Sequence, residues 1–270
     1  MLVIIKGAGD LASGIALRLF HAGFDIAMTE IAAPLAVRRT VSFSQAVYDG
    51  KARVEDISAI LVKDEVEMQK VIDQKQIAIF IDPLAAIVRQ LKPPVLIDAI
   101  MAKKNTGTAI DDAPLVVGIG PGFTAGSDCH AVVETQRGHT LGRLIIEGSA
   151  IPNTGIPGSI NGYTTERLLR SSADGIFEPL VEIGDTVQKD DTVARVRDSG
   201  GNVFPVIAAA GGIVRGLLPP GITVKKGMKA GDLDPRCVRS HCFTVSDKAL
   251  SIGGGVLEAL LRFSSKKCCK

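Results

Sequence analysis

The chain has 270 residues and a formal net charge of +2, and 46% of its residues are hydrophobic, 22% charged and 4% aromatic. This length suggests two domains, and the small, dispersed positive charge gives no support for nucleic-acid binding. No apolar run reaches the roughly 18 residues that span a bilayer, and the first residues lack the basic region of a signal peptide. We therefore expect a cytoplasmic protein without a membrane segment.

The cysteines do not form a disulfide framework. The sequence contains five, an odd number, and Cys237 and Cys242 are spaced more widely than the pairs that bind structural zinc. The others are Cys129 and, in a short basic tail, Cys268 and Cys269. The sequence therefore predicts neither disulfides nor a metal site.

The chain opens with a pattern typical of dinucleotide-binding proteins. A strand is predicted over 2–5 and a second over 24–29, and the turn after the first reads Gly7-Ala8-Gly9-Asp10-Leu11-Ala12. In this interpretation Gly7 makes the turn, Gly9 lets a phosphate approach the backbone and Ala12 permits close helix packing. Glu30, about twenty residues further on, is placed to bind a ribose 2′-hydroxyl.

Three charged residues near this turn are harder to interpret. Asp10 suits a helix N-terminus, where it either caps the helix or repels a pyrophosphate. Arg38 and Arg39 follow Glu30 closely, and they either bind a phosphate or carboxylate or face solvent.

The next segments alternate between strand and helix patterns. Strands are predicted over 59–62, 77–81, 95–98 and 115–119, with helices near 65–73 and 84–91. This order predicts an α/β fold, a Rossmann-like doubly wound parallel sheet. Ligands bind beyond the carboxyl ends of such strands, where Asp82, Asp98 and the glycines Gly120 and Gly122 lie.

A glycine-rich segment from Gly118 to Gly162 contains ten glycines and most of the candidate catalytic residues. A strand over 131–133 would place His130 and Glu134 on one face, about 7 Å apart, where they could line one crevice with Asp82 and Asp98. His139, Asp128 and Arg137 lie in the same segment. The alternative is that His130 and Glu134 only satisfy the backbone of the surrounding turns.

The C-terminal part contains a repeat. Seven identities relate the 22 positions of 175–196 to the segment 37 positions later. Two short halves of this kind resemble the biotinyl/lipoyl carrier fold, so we expect a second, smaller all-β domain of barrel-sandwich hybrid type. It lacks the carrier lysine, which indicates a structural or docking module.

The last residues read as a helix preceded by three glycines. Gly253, Gly254 and Gly255 at its start would offer backbone N–H groups to an anion, or else form a hinge or a close packing site. The predicted domains are 1–165, Rossmann-like with the glycine-rich centre, 166–236, the barrel, and 237–270, a helical segment packing back on the first domain.

Several specific words together carry a resemblance to a known family. They include Gly-Ala-Gly-Asp-Leu-Ala-Ser-Gly, Asp-Ala-Ile-Met-Ala-Lys-Lys-Asn-Thr-Gly-Thr, His-Ala-Val-Val-Glu-Thr, Pro-Asn-Thr-Gly-Ile-Pro-Gly and Ser-Asp-Lys-Ala-Leu-Ser-Ile-Gly-Gly-Gly. In these words the chain resembles the YqeB family, accessory proteins of selenium-dependent molybdenum hydroxylases. The resemblance implies a factor that helps to mature enzymes of the xanthine dehydrogenase type, and it implies a cysteine at Cys242.

Three functions follow as hypotheses. The first is a maturation factor that binds a nucleotide, such as the dinucleotide form of the molybdenum cofactor, and presents it to a client hydroxylase. The second is an NAD(P)-dependent oxidoreductase with His130 or His139 as acid–base group. The third is selenium or sulfur transfer by Cys242, which needs a lowered thiol pKa. The ligand, the client, any reaction and any homo-oligomer are left open.

Overall fold

The computed structural model describes residues 1–155 and 158–268, and the chain divides into two units. Unit 1 comprises 1–34, 42–154 and 245–270, and unit 2 comprises 35–41 and 155–244. The divisions fall at 154/155 and 244/245, whereas the sequence suggested 165/166 and 236/237. Cys269 of the tail, and Ile156 and Pro157 of the Pro-Asn-Thr-Gly-Ile-Pro-Gly word, lie outside the described residues.

Unit 1 contains all five α-helices of the described chain and eleven strands. The helices are α1 (Asp10–His21), α2 (Ala46–Asp49), α3 (Glu65–Asp73), α4 (Ile87–Leu91) and α5 (Asp247–Cys268). The strands are β1 (Leu2–Lys6), β2 (Asp25–Glu30), β3 (Lys51–Val54), β4 (Ile57–Val62), β5 (Ile77–Ile81), β6 (Val95–Asp98), β7 (Leu115–Ile119), β8 (Thr124–Ala125), β9 (Ala131–Val133), β10 (Leu144–Ile145) and β11 (Gly148–Ser149).

The sheet of unit 1 is mixed, so the predicted Rossmann-like doubly wound parallel sheet is wrong. Nine strands pair in the order β10-β9-β7-β6-β1-β2-β5-β4-β3. The seven inner strands are parallel, but β3 pairs antiparallel with β4 and β10 pairs antiparallel with β9. β8 and β11 form a separate two-stranded antiparallel sheet.

The lengths of the connections explain both antiparallel edges. Parallel neighbours need a crossover of a dozen or more residues, whereas only Glu55 and Asp56 separate β3 from β4. Glu55 has a left-handed backbone with φ 54°, as a tight hairpin turn requires. The sequence reading overlooked β3 because its Lys51-Ala52-Arg53-Val54 pattern is polar and short.

Helices cover both faces of this sheet. Buried residues of α3 and α4, among them Met68 and Ile87, share one aliphatic core with Ile4 and Val116 of the sheet. On α1, a Cβ at Gly14 would meet Ala249 of α5, and four residues later in both helices Arg18 meets Gly253. α1 and α5 therefore run parallel, with their N-termini at the same end.

The glycines of α5 have a packing role. The helix begins at Asp247, six residues before Gly253, so the predicted helix start at the glycines is wrong. A Cβ at Gly255 would lie 2.2 Å from the Gly142 carbonyl oxygen, and one at Gly253 would lie 3.0 Å from Arg18 Cβ. These two glycines allow close packing, and their N–H groups are inside the helix.

Unit 2 contains two short 3₁₀ turns, Arg39–Val41 and Arg239–Cys242, and otherwise β-strands. The strands are β12 (Leu168–Arg170), β13 (Gly175–Pro179), β14 (Thr186–Val187), β15 (Thr192–Arg197), β16 (Val203–Ile207), β17 (Gly212–Leu217), β18 (Thr223–Val224) and β19 (Lys229–Asp234). The repeat is visible here, because β13, β14 and β15 begin at 175, 186 and 192 and β17, β18 and β19 begin 37 residues later, at 212, 223 and 229.

The strands of unit 2 form two four-stranded antiparallel sheets in place of the predicted biotinyl/lipoyl barrel, and that part of the fold class is also wrong. Their orders are β12-β19-β17-β14 and β16-β15-β13-β18. One core, which includes Phe177, Val193 and Leu233, is shared by strands of both sheets. The segment 35–41 adds to this unit through Val37, whose carbonyl accepts from the Leu217 N–H. The repeat alone contained no sign of this distant segment.

In residues 1–155 and 158–268, none of the helices has the length and apolar character needed to span a bilayer.

The parallel contact of α1 and α5 gives a stability prediction. A Cβ at Gly14 would lie 2.5 Å from Ala249 Cβ, so we expect Gly14→Ala to lower the free energy of unfolding by about 1–3 kcal/mol through overpacking. Gly254 is the matched control, because nothing lies within 4 Å of its added Cβ. Gly254→Ala should raise the free energy by about 0.5–1 kcal/mol. Urea denaturation would contradict the packing account if both variants shifted stability in the same direction.

Candidate functional site

The glycine turn after β1 leaves one helix end open. Gly7 has φ 89° and lies against the next strand connection, since its added Cβ would be 3.1 Å from the Ala99 oxygen. Gly9 is the N-cap of the twelve-residue helix α1, and no side chain of the described residues caps the helix there. No atom lies within 4 Å of a Cβ added to Gly9. The first N–H groups of α1 thus face open space.

Glu30 lies beside this turn, at the end of β2. Its carboxylate accepts from the N–H of Ala8 at 3.0 Å and from that of Ile31 at 2.8 Å. Burial raises the pKa of Glu30, although both backbone bonds favour the carboxylate and lower it. The spacing of about twenty residues placed Glu30 correctly next to the glycine turn.

The turn is held in place from beneath by Ser13 of α1. The Ser13 hydroxyl donates to the Ala8 oxygen at 3.1 Å and accepts from the Phe43 N–H at 2.8 Å. The Ser44 N–H donates to the same Ala8 oxygen at 2.9 Å. The geometry around Gly9 is therefore fixed without a ligand.

A buried charge cluster lies under the turn. Lys6 and Asp98 end the neighbouring strands β1 and β6, where they pair in register. The Lys6 Nζ lies 3.4 Å from Asp98 Oδ2 and donates to the Thr108 hydroxyl at 2.6 Å. Sequence reading named Asp98 and missed the other two, because β1 was ended at Ile5 and Thr108 comes ten residues after Asp98.

A second group of charges surrounds the parallel N-termini of α1 and α5. Arg137 donates to both carboxylate oxygens of Asp247, at 2.8 and 2.9 Å. Burial lowers the pKa of Lys248, and the Arg137 guanidinium lowers it further, while Asp10, Glu134 and Asp247 act in the opposite direction. Lys248 was quoted in the sequence only as part of a motif, and no local signal indicated that it lies near Asp10.

Gly120 and Gly122 belong to the same edge of the sheet, after β7. Gly120 has φ 77°, and its added Cβ would lie 2.6 Å from the Thr135 hydroxyl. Gly122 has φ 110°, and its added Cβ would lie 2.6 Å from Lys104 Cα. Both positions thus need glycine because another part of the chain approaches the backbone.

His130 and Glu134 lie at opposite edges of the sheet and cannot line one crevice with Asp98. β9 runs parallel to β7, with Ala131 beside Val117 and Val133 beside Ile119. His130 precedes β9 at the amino-terminal edge, where its Nδ1 accepts from the Val116 N–H at 3.0 Å. Burial lowers the pKa of His130, which favours the neutral ring that this bond requires. His139 is exposed in the loop after β9.

Glu134 is buried and serves the backbone around it. Its Oε1 accepts from the N–H groups of Thr135 and Gln136, both at 2.7 Å, and its Oε2 accepts from that of Ile151 at 2.9 Å. These bonds agree with the alternative stated for Glu134, that it satisfies surrounding turns. Asp82 and Asp128 are used similarly: they accept from the N–H groups of Ile87 and Thr124.

Arg38 and Arg39 belong to unit 2, whereas the Gly7 turn belongs to unit 1. Arg38 is buried and donates to the carbonyl oxygens of His241 and Thr244, at 2.9 and 3.1 Å. Arg39 donates to the Leu217 oxygen at 2.8 Å. Both guanidinium groups thus bind the backbone of their own unit.

Cys242 is fully buried in unit 2, and its thiol donates to the Val214 oxygen at 3.7 Å. Burial raises its pKa, although the nearby guanidinium groups of Arg38 and Arg215 lower it. A transfer nucleophile needs an accessible thiolate, so these features oppose that role. Cys129 is also buried, and desolvation raises its pKa to about 11.

The burial of Glu134 predicts a structural effect. Glu134→Ala leaves three backbone N–H groups without their acceptor, and we expect the free energy of unfolding to fall by about 2–3 kcal/mol. Glu147→Ala, at an exposed position of the same unit, should change it by less than about 0.5 kcal/mol. Equal stability of the two variants in urea titrations would show that the carboxylate has no structural role.

The thiols give a second prediction. In native protein at pH 8 we expect iodoacetamide to label the exposed Cys237, while Cys129 and Cys242 react only after denaturation, because both are buried with raised pKa values. Peptide mapping by mass spectrometry measures each site separately. Rapid labelling of Cys242 in the native protein would restore it as a candidate nucleophile.

No protein-family model matches the chain. Solved structures show weak likenesses. The product-bound ectoine utilization protein EutE (DoeB) from Ruegeria pomeroyi is 23% identical over 33% of this chain and 27% of that chain, with a TM-score of 0.24. An aspartoacylase family protein from Mesorhizobium loti is 12% identical over 86% of this chain and 84% of that one, with a TM-score of 0.29. Scores this low support no inference about fold or activity.

A curated protein gives a strong match along the sequence. It is YqeB of Escherichia coli strain K12, described as uncharacterized, and it is 48% identical over 260 residues. The match covers 96% of this chain and 47% of that protein, so the chain spans about half the length of the curated relative that it matches. The chain is therefore a homologue of YqeB over nearly its whole length, which supports the resemblance to the YqeB family.

Proposed function

We propose that this chain is an accessory factor in the maturation of selenium-dependent molybdenum hydroxylases of the xanthine dehydrogenase type, and that it binds a nucleotide or dinucleotide-type cofactor at the Gly7–Asp10 turn. The accessory role comes from the resemblance to the YqeB family. The ligand class comes from the site itself, and the open space at Gly9 is the observation on which it depends.

Helix N-termini bind phosphate because their first N–H groups lack partners and the helix dipole is positive at that end. α1 offers such an end at Gly9, which no side chain of the described residues caps. The Glu30 carboxylate, bonded to the Ala8 N–H, lies where it can accept a hydrogen bond from a sugar hydroxyl. Phosphate and sugar groups side by side are the features that nucleotides share.

The two other hypotheses lack their reactive groups. For the NAD(P)-dependent oxidoreductase, His130 is at the amino-terminal edge of the sheet, away from the Gly7 turn, and its Nδ1 is occupied by the Val116 N–H. For selenium or sulfur transfer, Cys242 is buried and its pKa is raised. A binding and presenting role needs neither a general base nor a thiolate.

The open space at Gly9 makes a sharp test possible. Gly9 has φ −68°, so a valine fits its backbone, and its side chain would extend into the space where we expect the phosphate. Isothermal titration with NAD⁺ and ADP should show binding to the wild type and at least a tenfold weaker affinity, about 1.4 kcal/mol, for Gly9→Val. Unchanged affinity would make the turn purely structural.

Gly254→Val is the matched control, since that glycine also has open space and lies on the surface of α5. It should bind both ligands like the wild type. In a host strain lacking this protein, the wild type and Gly254→Val should restore hydroxylase activity and Gly9→Val should not. Full hydroxylase activity in the strain without the protein would contradict the accessory role, whatever the nucleotide affinity.

A further inference from the structure

The connection after β6 has a backbone that is costly to maintain. Met101 and Lys103, neither of them glycine, have left-handed φ values of 63° and 62°. Non-glycine residues adopt this region rarely, and they remain there only where their surroundings hold them. We call residues 99–107 the 99–107 loop; it contains most of the Asp-Ala-Ile-Met-Ala-Lys-Lys-Asn-Thr-Gly-Thr word, to which the nucleotide site gives no role.

The buried cluster of Lys6, Thr108 and Asp98 closes the base of this loop. The Thr108 hydroxyl accepts from Lys6 Nζ at 2.6 Å and donates to Asp98 Oδ2 at 2.5 Å, while Asp98 Oδ1 accepts from the Ile100 N–H at 3.2 Å. The side chains of Lys6 and Asp98 are 7% and 2% exposed. A buried ion pair contributes little net stability because of its desolvation cost, so its main effect here is to fix the position of both loop ends.

Further contacts hold the body of the loop at the carboxyl edge. The Asn105 side chain accepts from the N–H groups of Gly107 and Thr108 and donates to the Thr108 oxygen. Gly7 and Gly122 let the loop approach from two sides, because a Cβ on Gly7 would lie 3.1 Å from Ile100 Cα and one on Gly122 would lie 2.6 Å from Lys104 Cα. The loop thus starts directly beside the Gly7–Asp10 turn.

This fixed loop presents two cations to solvent. Lys103 and Lys104 are exposed, and neither ammonium forms an ion pair with any residue in the part of the chain that the structure describes. Arg137, the other exposed cation of this edge discussed above, is already bonded to Asp247 through both of its terminal nitrogens. A strained, anchored loop that holds adjacent lysines beside an open anion site favours a binding role for those lysines.

We propose that Lys103 and Lys104 bind a second acidic group of the ligand, beyond the phosphate at Gly9, and that Lys6, Thr108 and Asp98 are positioning residues that hold the loop for this contact. The proposal rests on the proposed function, because it assigns the first phosphate to the Gly7–Asp10 turn. It defines the ligand as one with at least two anionic groups in series, as in a nucleoside diphosphate or a dinucleotide.

AMP and ADP are the probes that separate the two contacts, since they differ by one phosphate. We expect the double variant Lys103→Ala/Lys104→Ala to bind ADP at least tenfold more weakly than the wild type and to bind AMP with nearly unchanged affinity. Gly9→Val should weaken both. The control Lys225→Ala/Lys226→Ala removes the same charge from an exposed pair in unit 2 and should change neither affinity.

The outcomes distinguish the two proposals. Loss of both affinities in Gly9→Val, with ADP binding unchanged in Lys103→Ala/Lys104→Ala, would overturn the loop contact and leave the nucleotide site intact. Equal loss of AMP and ADP binding in the double variant would also overturn it, because the lysines would then act on the first phosphate. A wild type that binds neither nucleotide would refute the proposed function and this inference together.

The positioning role has its own variants. Thr108→Val removes the hydroxyl that joins Lys6 to Asp98, and it should weaken ADP binding and speed hydrogen exchange in residues 99–107 of the free protein. Thr108→Ser retains the hydroxyl and should restore both properties. If Thr108→Val does not fold, Lys103→Ala/Lys104→Ala still decides the contact. Slow exchange and full ADP affinity in a folded Thr108→Val would exclude a positioning role for the cluster.

Discussion

The close approach of backbone to backbone at the carboxyl edge of the unit 1 sheet is the constraint on which the candidate site depends. Gly7, Gly120 and Gly122 each have positive φ, and an added Cβ at each would come within 3.1 Å or less of another segment. Because parallel strands end at one edge, their connections crowd there, and glycine lets them touch. The crowding fixes the shape around Gly9, where the only open space among these glycines lies.

Sequence reasoning worked where the relevant signal was local. The strand, the glycine turn and the start of α1 occupy about ten consecutive residues, and the distance to Glu30 spans one helix and one strand. Ala8 and Glu30 meet as that spacing indicates. For the same reason the inner strands 59–62, 77–81, 95–98 and 115–119 were located well, since each is a short apolar run between turns.

The failures come from contacts between distant parts of the chain. Alternation correctly put His130 and Glu134 on one face, but a strand of only three residues between them was enough to carry them to opposite edges. The hairpin β3–β4 and the antiparallel β10 made the sheet mixed, and neither has a strong apolar pattern. Arg38 lies within a few residues of the Gly7 site's Glu30, yet its partners His241 and Thr244 are about 200 residues away. No window of sequence contains both ends of such a contact.

The parallel packing of α1 and α5 also changes the meaning of Asp10, which the sequence made the main objection to a phosphate site. Asp10 lies in the first turn of α1, where its charge suits the helix dipole but opposes an anion. Because the two helices begin at the same end, Lys248 is brought near Asp10, and its ammonium interacts favourably with Asp10, Glu134 and Asp247. Burial disfavours that ammonium, so an arriving anion would stabilise it as the carboxylates do. The positive charge of Lys248 therefore offsets Asp10 in the free protein, and it is close enough to favour an anion at the same helix end.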